Sequence, residues 1–319
     1  MSDYRAMLEE EIKRINLPVD NLPGLYKPIY YSIESGGKRL RPVLLLMTCE
    51  AFGGNPETAL RAALGIEMYH NFTLVHDDVM DRSERRRGKP TVWDKWGTDT
   101  AILSGDVMLT LATEYMSEVP DKCLRRVLDR FNRMAIEVYE GQQLDMEFEK
   151  REQVSIDEYL NMIRLKTSVL LGASCAIGAI IAGADEEKCE AMYRFGEALG
   201  VAFQIQDDYL DLFGDSNTFG KPIGGDINNG KKTFLTLRTL EEGGPNADAL
   251  KSALQLPAGD LRVRTARNIM TAADIPGKCR KAWDEWSGHA IKSLANTSLG
   301  KEEIASFKGV VEKLIDRKK

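Results

Sequence analysis

The chain has 319 residues, 43% of them apolar, and a formal net charge of −6. That length allows one large core or two ordinary domains, and the acidic balance argues against a general nucleic-acid or membrane-surface binder. Five scattered cysteines (Cys49, Cys123, Cys175, Cys189, Cys279) with no Cys-x-x-Cys pair argue against both a disulfide framework and structural zinc.

The opening Met-Ser-Asp-Tyr-Arg lacks an apolar signal-peptide core. No run of about 18 apolar residues exists, so nothing is expected to span a bilayer. A soluble, cytoplasmic protein without an integral membrane segment is expected.

In chain order, Tyr4, Met7, Leu8, Ile12 and Ile15 form one apolar stripe that Leu17-Pro18 stops. Helical periodicity then predicts runs over roughly 38–52, 57–82, 97–117, 121–150, 156–183, 186–213, 231–242 and 261–295, with a last one near 301–317. Gly53-Gly54, Pro120, Gly243-Gly244-Pro245 and Pro257 punctuate them, and no linker or low-complexity tract divides the chain. Alternating strand patterns are almost absent. The expectation is all-α, one domain of long helices over residues 1–319.

Two aspartate clusters of identical form end two of these runs. One supplies Asp77, Asp78 and Asp81, the other Asp207, Asp208 and Asp211, each as Asp-Asp-x-x-Asp. The first and last aspartates lie four apart, so a helix stacks them on one face, where like charges repel unless a cation sits between them. Hard oxygen donors with an open face suit Mg²⁺, which shares its shell among carboxylates, waters and a substrate phosphate. With 23 aspartates in the chain, two such motifs arise by chance in roughly one chain in a hundred. A metal-diphosphate site is the stronger reading.

The cations fall around those clusters. Gly36-Gly37-Lys38-Arg39-Leu40-Arg41-Pro42 sets three of them at the start of a helix, where they cost stability unless an anion is bound. Arg86-Arg87-Gly88-Lys89-Pro90 follows the first cluster, and Lys166-Thr167 sits within a helical run. Lys221 and Lys231-Lys232-Thr233 bracket a glycine-rich stretch over 214–230, too long for a tight connector and so read as a mobile loop over a site. As a set in an acidic protein, these cations favour polyphosphate binding.

Taken together these segments resemble the trans-isoprenyl diphosphate synthase (polyprenyl synthetase) family. The matching elements appear in family order over roughly residues 36–235. They are the basic heptapeptide; His70 and Asn71-Phe72-Thr73-Leu74-Val75-His76 leading into Asp77; Arg86 to Thr91; Gly105-Asp106; Gly141-Gln142 with Asp145; Lys166-Thr167; Phe203-Gln204 before the second cluster; and Gly220-Lys221-Pro222 to Thr233. The C-terminal third matches only in being helical. Trp93 departs from the pattern, since the family more often has histidine there.

The resemblance implies a single bundle of long helices around a deep central cavity, working as a homodimer. It implies Mg²⁺-dependent condensation of isopentenyl diphosphate with an allylic diphosphate, with three Mg²⁺ per site when substrate is bound. Asp77, Asp81 and Asp207 would hold metal, with Asp78, Asp208 and Asp211 as further ligands or their supports. Arg86, Lys166, Thr167, Gln204, Lys221 and Lys231 would face the allylic diphosphate. Lys38, Arg41, His70 and Arg87 would form a metal-free pocket for isopentenyl diphosphate. Gln142 and Asp145 would be polar cavity groups, and His76 a packing or supporting residue.

An aromatic residue five positions before the first cluster, with no insertion inside it, resembles short-chain geranylgeranyl and farnesyl synthases. Phe72 and Tyr69, one and two turns back from Asp77, would floor the channel, which gives products of about fifteen to twenty carbons at ~4.5 Å of helix per three residues. Two rival readings are weaker. A class I terpene cyclase normally pairs its aspartate cluster with an Asn-Ser-Glu type motif and has no use for the basic heptapeptide. A non-catalytic subunit of a heteromeric synthase should have lost aspartates, and all six are present.

Overall fold

The structure is a computed structural model that describes residues 2–214 and 223–315. Among the described residues it is helical apart from short connections and one pair of two-residue strands. The chain divides into two compact units, residues 1–133 with 173–193, and residues 134–172 with 194–319. The divisions fall inside three long helices: α7 (Asp121–Lys150), α9 (Val169–Ala182) and α10 (Glu186–Phe213).

The first unit is organised by α4 (Pro56–Met80), which packs against α1 (Ser2–Lys13), α2 (Pro23–Glu34), α3 (Leu40–Ala51), α5 (Val92–Trp96) and α6 (Thr98–Ser117). Asn55 caps α4 by accepting from the Glu57 N–H at 3.0 Å, and Pro56 opens it with a preset φ and no N–H to leave unpaired. From Ala59 to Phe72 its buried positions go round the helix: Ala62, Ala63, Leu64, Ile66, Met68, Tyr69 and Phe72. A helix apolar on all sides belongs at the centre of a core, and each fully buried Leu, Ile or Phe there contributes roughly 1.5–3 kcal/mol. The site residues His70, Asp77, Asp78 and Asp81 ride on the C-terminal half of this rigid rod.

The second unit has its own core. Phe148, Tyr159, Ile163, Val201, Ile205, Leu212, Phe234, Leu250, Met270 and Trp283 form one buried cluster. α8 (Ile156–Ile163) opens with a full capping box, in which Ser155 and Glu158 satisfy each other's backbone N–H groups. After α10 come α11 (Gly225–Asn228), α12 (Phe234–Glu241), α13 (Gly244–Leu254), α14 (Asp260–Ala272), α15 (Ile275–Ser293) and α16 (Lys301–Ile315). α12 packs on α8, α13 and α15, which holds the chain that follows the second aspartate cluster.

Most of the predicted helices are present within a few residues of their expected ends, and four features differ. α2 falls where no helix is predicted; Pro23 occupies its first turn, and Pro28 is buried inside it. Gly243-Gly244-Pro245 starts α13 rather than ending a structured region. The run expected over 261–295 is two helices, broken where Asp274 takes φ +52. The fourth is the apolar helix Ile156–Ala182, long and apolar enough by composition to cross a membrane, although no such run was expected. Counting uninterrupted apolar residues missed it because Gly172, Ser174 and Gly178 interrupt the run. Its most apolar window is 83% buried inside the protein, as in a core helix.

Candidate active site

In the first unit the aspartates sit at the C-terminal end of α4. Asp81 is the C-cap, and its N–H bonds back to the Asp77 carbonyl at 2.8 Å. Three carboxylates at the negative end of a helix dipole raise the local energy until a cation arrives. Asp77 is half-buried and Asp81 exposed, whereas Asp78 is only 4% exposed. Arg86 closes on Asp78 through Nε at 2.9 and 3.1 Å and through Nη2 at 2.8 Å, a charge-assisted clamp.

Arg86 reaches Asp78 because it stands in a two-residue hairpin, Arg85–Arg86 against Lys89–Pro90. The turn residues Arg87 and Gly88 both have positive φ, +52 and +76, as a tight primed turn demands. A non-glycine residue in that region is strained, and Arg87 is held there by donating Nη1 to the Gly36 carbonyl. Gly37 makes the approach feasible: a Cβ at that position would lie 2.9 Å from the Arg87 guanidinium. The glycine pair of the basic heptapeptide is thus a seat for Arg87.

The three cations of that heptapeptide have different fates. Arg39, at φ +51 and 3% exposed, turns inward and pairs with Glu67 at 2.6 Å and Glu9 at 3.0 Å, with Nη2 on the Ile33 carbonyl at 2.6 Å. Asn71 steadies Glu67 from the same helix at 3.0 Å. Arg39 is therefore spent on the fold, which corrects the reading of three cations awaiting an anion. Arg41 donates Nη1 to His70 Nε2 at 3.2 Å, and its buried Nε has no hydrogen-bond partner among the described residues. Lys38 is exposed at the mouth of α3.

An arginine can only donate, so His70 must accept on Nε2 and carry its proton on Nδ1. Burial, and then the charges of Arg41, Arg87, Arg86 and Arg39, hold its pKa well below the ordinary 6.5. His70 adds no positive charge to this pocket; it orients Arg41. Desolvation, and the repulsion of Arg87, pushes the Arg41 guanidinium down to about 10, still charged at neutral pH.

Behind the first cluster, Tyr69 and Phe72 are buried with ring centroids 5.5 Å apart. Tyr69 also meets Phe131 at 5.4 Å, and Phe72 meets His76 at 4.7 Å. His76 bonds the Ile102 carbonyl at 3.1 Å and so is a packing group.

In the second unit Asp207, Asp208 and Asp211 occupy the last two turns of α10. Asp207 is half-buried, while Asp208 and Asp211 are 6% and 9% exposed. Asp208 accepts from the Tyr159 hydroxyl, from the Phe234 N–H at 3.0 Å and from Gln204 Nε2 at 3.1 Å. Burial, then the negative charge of Asp226, pushes Asp208 up to about 7 against those three bonds. Asp211 accepts the Asp226 N–H at 3.1 Å.

Lys166 and Thr167 lie in a π-helical turn, Arg164–Ser168, that interrupts the run from α8 to α9. Such bulges are rare and recur at functional sites. Gly141 on α7 and Gly200 on α10 admit it, since a Cβ at Gly141 would sit 2.2 Å from the Lys166 nitrogen and one at Gly200 2.6 Å from the Ser168 Cα. Lys166 pairs with Asp145 at 2.5 Å, and Thr167 donates to Gln204 at 3.4 Å. Lys231 is half-buried, with its N–H on the Asp226 carbonyl at 2.9 Å. Lys221 lies outside the described residues, as does the 215–222 part of the glycine-rich stretch.

Each unit thus gathers its own share of the expected residues: Lys38, Arg41, His70, Arg86 and Arg87 with the first cluster, Lys166, Thr167, Gln204 and Lys231 with the second. Sequence reasoning missed the roles of Tyr159, Glu67 and Arg39. A buried charged pair such as Arg39–Glu67 has no local signature, and Tyr159 reads as one more core aromatic.

A polyprenyl synthetase family model matches residues 23–270. The chain belongs to that family. It is 43% identical over 229 residues to the geranylgeranyl diphosphate synthase of Methanosarcina mazei, covering 71% of each chain. A crystal structure of a geranylgeranyl pyrophosphate synthase matches with a TM-score of 0.95 at 40% identity, over 100% of this chain and 99% of that one. The geranylgeranyl pyrophosphate synthase from Corynebacterium glutamicum, solved complexed with isoprenyl diphosphate and magnesium, matches with a TM-score of 0.84 at 26% identity, over 99% and 96%. The fold is accordingly the all-α isoprenoid synthase fold.

Among the described residues, no three His, Cys, Asp or Glu side chains converge on one metal position. Asp77 and Asp207 are half-buried and Asp81 is exposed, carboxylates of the hard-oxygen type that Mg²⁺ takes.

Proposed function

We propose that this protein is a Mg²⁺-dependent short-chain prenyltransferase, joining isopentenyl diphosphate head-to-tail to an allylic diphosphate to give an all-trans prenyl diphosphate of about fifteen to twenty carbons. The observation that carries the reading is that one arrangement recurs in both units: a half-buried aspartate, Asp77 or Asp207, at the negative end of a long helix, followed by an aspartate, Asp78 or Asp208, that the protein holds. Such an end suits a cation-bridged polyanion.

In this reading Asp77, Asp81 and Asp207 would hold Mg²⁺, three ions per site with substrate, and the metal would supply positive charge to the diphosphate that leaves when the allylic carbon–oxygen bond ionises. Lys166 and Lys231, with Lys221, supply fixed positive charge to that diphosphate without proton transfer. Arg86 acts through Asp78, holding its carboxylate in place. Arg41, set by neutral His70, joins Lys38 and Arg87 in holding isopentenyl diphosphate, where permanent cations suffice and metal is not needed. The double bond of isopentenyl diphosphate attacks the allylic cation. The carbon–oxygen electron pair has by then left with diphosphate, the alkene's π pair makes the new carbon–carbon bond, and that diphosphate takes the proton lost next to it.

Tyr69 and Phe72 are the channel floor in this reading, supported by their closed ring cluster with Phe131 and His76. Each added isoprene unit buries five carbons, on the order of 3–4 kcal/mol of apolar transfer, so only a steric stop can hold the product short. Phe72→Ala should lengthen the product by at least one unit and Phe72→Ala with Tyr69→Ala by more; an unchanged product from a folded, active double variant would remove the floor from these rings. Residues 1–319 act as one catalytic domain, a reading supported by the full-length structural match. A cytoplasmic homodimer completes the proposal, supported by the burial of the one long apolar helix and by Ile102 and Leu103 exposed on α6.

The test is direct. Purified protein is incubated with isopentenyl diphosphate, each allylic starter and Mg²⁺, and the products are sized, with light scattering for the dimer. Undiminished product in excess chelator would sink the mechanism.

A further inference from the structure

We propose that Asp208 and Asp211 are positioning residues that fasten both cationic segments of the second unit, around Lys166 and around Lys231, to the helix turn that carries Asp207. The inference rests on the prenyl-transfer reading of Asp207 and the two lysines.

Asp208 is the node. A carboxylate has about four acceptor positions, and three of those on Asp208 are taken by donors from separate elements. Tyr159 comes from α8, the helix that runs into the π-helical turn of Lys166 and Thr167. Gln204, one turn back on α10, links Asp208 at 3.1 Å to Thr167 at 3.4 Å. The Phe234 N–H at 3.0 Å is the first of α12, three residues beyond Lys231. One buried side chain therefore touches or reaches both lysine-bearing segments.

Asp211 fastens the same returning chain at its other end. Its carboxylate accepts the Asp226 N–H at 3.1 Å, and its carbonyl accepts the Gly224 N–H at 2.7 Å. Gly224 fits there because its φ is +75 and a Cβ would lie 2.4 Å from Val263 Cγ1. The Asp226 carbonyl then takes the Lys231 N–H at 2.9 Å. From Gly224 to Phe234 the backbone is pinned at residues 224, 226, 231 and 234. Two of the anchors are aspartates of the motif, one and four residues past Asp207. Three aspartates at this spacing thus differ: Asp207 is half-buried, and the other two are buried and bonded to the returning chain.

The experiment compares Asp207→Asn, Asp208→Asn, Asp208→Ala, Asp211→Asn and Tyr159→Phe by three readouts: amide hydrogen exchange in metal-free protein, Mn²⁺ titration, and steady-state kinetics. Asp208→Ala should speed exchange at Phe234 and raise KM for the allylic diphosphate by roughly tenfold, the worth of a lost hydrogen bond, with KM for isopentenyl diphosphate unchanged. Asp208→Asn retains an acceptor oxygen and should rescue the kinetics to within about threefold. Asp207→Asn should abolish tight Mn²⁺ binding and leave Phe234 exchange alone. If Asp208→Asn matches Asp207→Asn in lost Mn²⁺ binding while Phe234 stays protected, Asp208 is a ligand and the proposal fails.

Should Asp208→Ala not fold, the milder variants decide. Unchanged exchange at Phe234 in Tyr159→Phe and at Asp226 in Asp211→Asn would overturn the fastening. A protein that makes no prenyl diphosphate yet shows these exchange shifts would refute the proposed function and keep the fastening intact.

Discussion

The two aspartate clusters share a motif and differ in what holds it. In the first, the inner aspartate Asp78 is gripped by a permanent cation, Arg86, in a pocket crowded with arginines. In the second, the inner aspartate Asp208 is gripped by a phenol, a backbone N–H and an amide, none of them charged. The first region sets charge against charge, with Arg86 on Asp78 and Arg39 on Glu67. The second balances charge with neutral donors under burial, and its inner carboxylate is pushed toward neutrality. Identical spacing therefore does not mean identical electrostatics; the surroundings assign the roles.

The outer aspartates should erase that difference. Asp77→Ala and Asp207→Ala are each expected to lower turnover by roughly 10²–10³, since removing one element of transition-state charge stabilisation costs that much. Steady-state kinetics over a Mg²⁺ series would show it. One cluster proving silent would mean that only the other serves metal.

The inner aspartates should restore it. Asp208→Ala leaves three donors in a buried site, an unfolding cost on the order of 3 kcal/mol. Asp78→Ala leaves Arg86, whose side chain is 31% exposed and able to rehydrate, so about 1 kcal/mol is expected. Urea unfolding of the metal-free variants measures both, and equal losses would show that the kind of partner does not matter.

Substrate discrimination follows the same line. Arg41→Ala should raise KM for isopentenyl diphosphate about tenfold and leave the allylic KM nearly unchanged, while Lys166→Ala should do the reverse. Equal effects on both substrates in either variant would place both diphosphates on one set of cations.

The helices were legible because long periodic runs such as Pro56–Met80 and Glu186–Phe213 announce themselves, and the aspartates because their spacing is improbable. The supports were not legible. Nothing in Arg86 alone says that a two-residue hairpin will fold it back on Asp78, or that Arg87 will sit at positive φ against Gly36. The π-helical turn at Lys166 depends on Gly141 and Gly200, glycines distant in sequence that read as ordinary helix positions. Arg39 and Arg41, two residues apart in one basic run, look alike until tertiary structure buries one against Glu67. Donor and acceptor chemistry can be read locally, but which partner arrives depends on packing.

The smallest expected effect tests the first region's arginine cluster through His70. Burial and four arginines hold its folded pKa well below 6.5, the value it regains on unfolding. Between those two values the unfolded chain binds a proton that the folded protein refuses, so stability rises with pH there. It is complete above about 6.5 and is lost as pH falls toward the folded value, by at most ~1.4 kcal/mol per pH unit for one proton. His70→Gln keeps an acceptor for Arg41 without titrating, and should flatten this acid limb while leaving stability at pH 8 nearly unchanged. Inorganic diphosphate bound among the arginines would offset their repulsion, raise the folded pKa and shrink the loss in the parent protein but not in the variant. Urea unfolding from pH 5 to 8, with and without diphosphate, reads all of this. Parallel pH profiles for parent and His70→Gln would mean that His70 accepts its proton in the fold as readily as in the open chain, and that Arg41 is not held by a neutral ring.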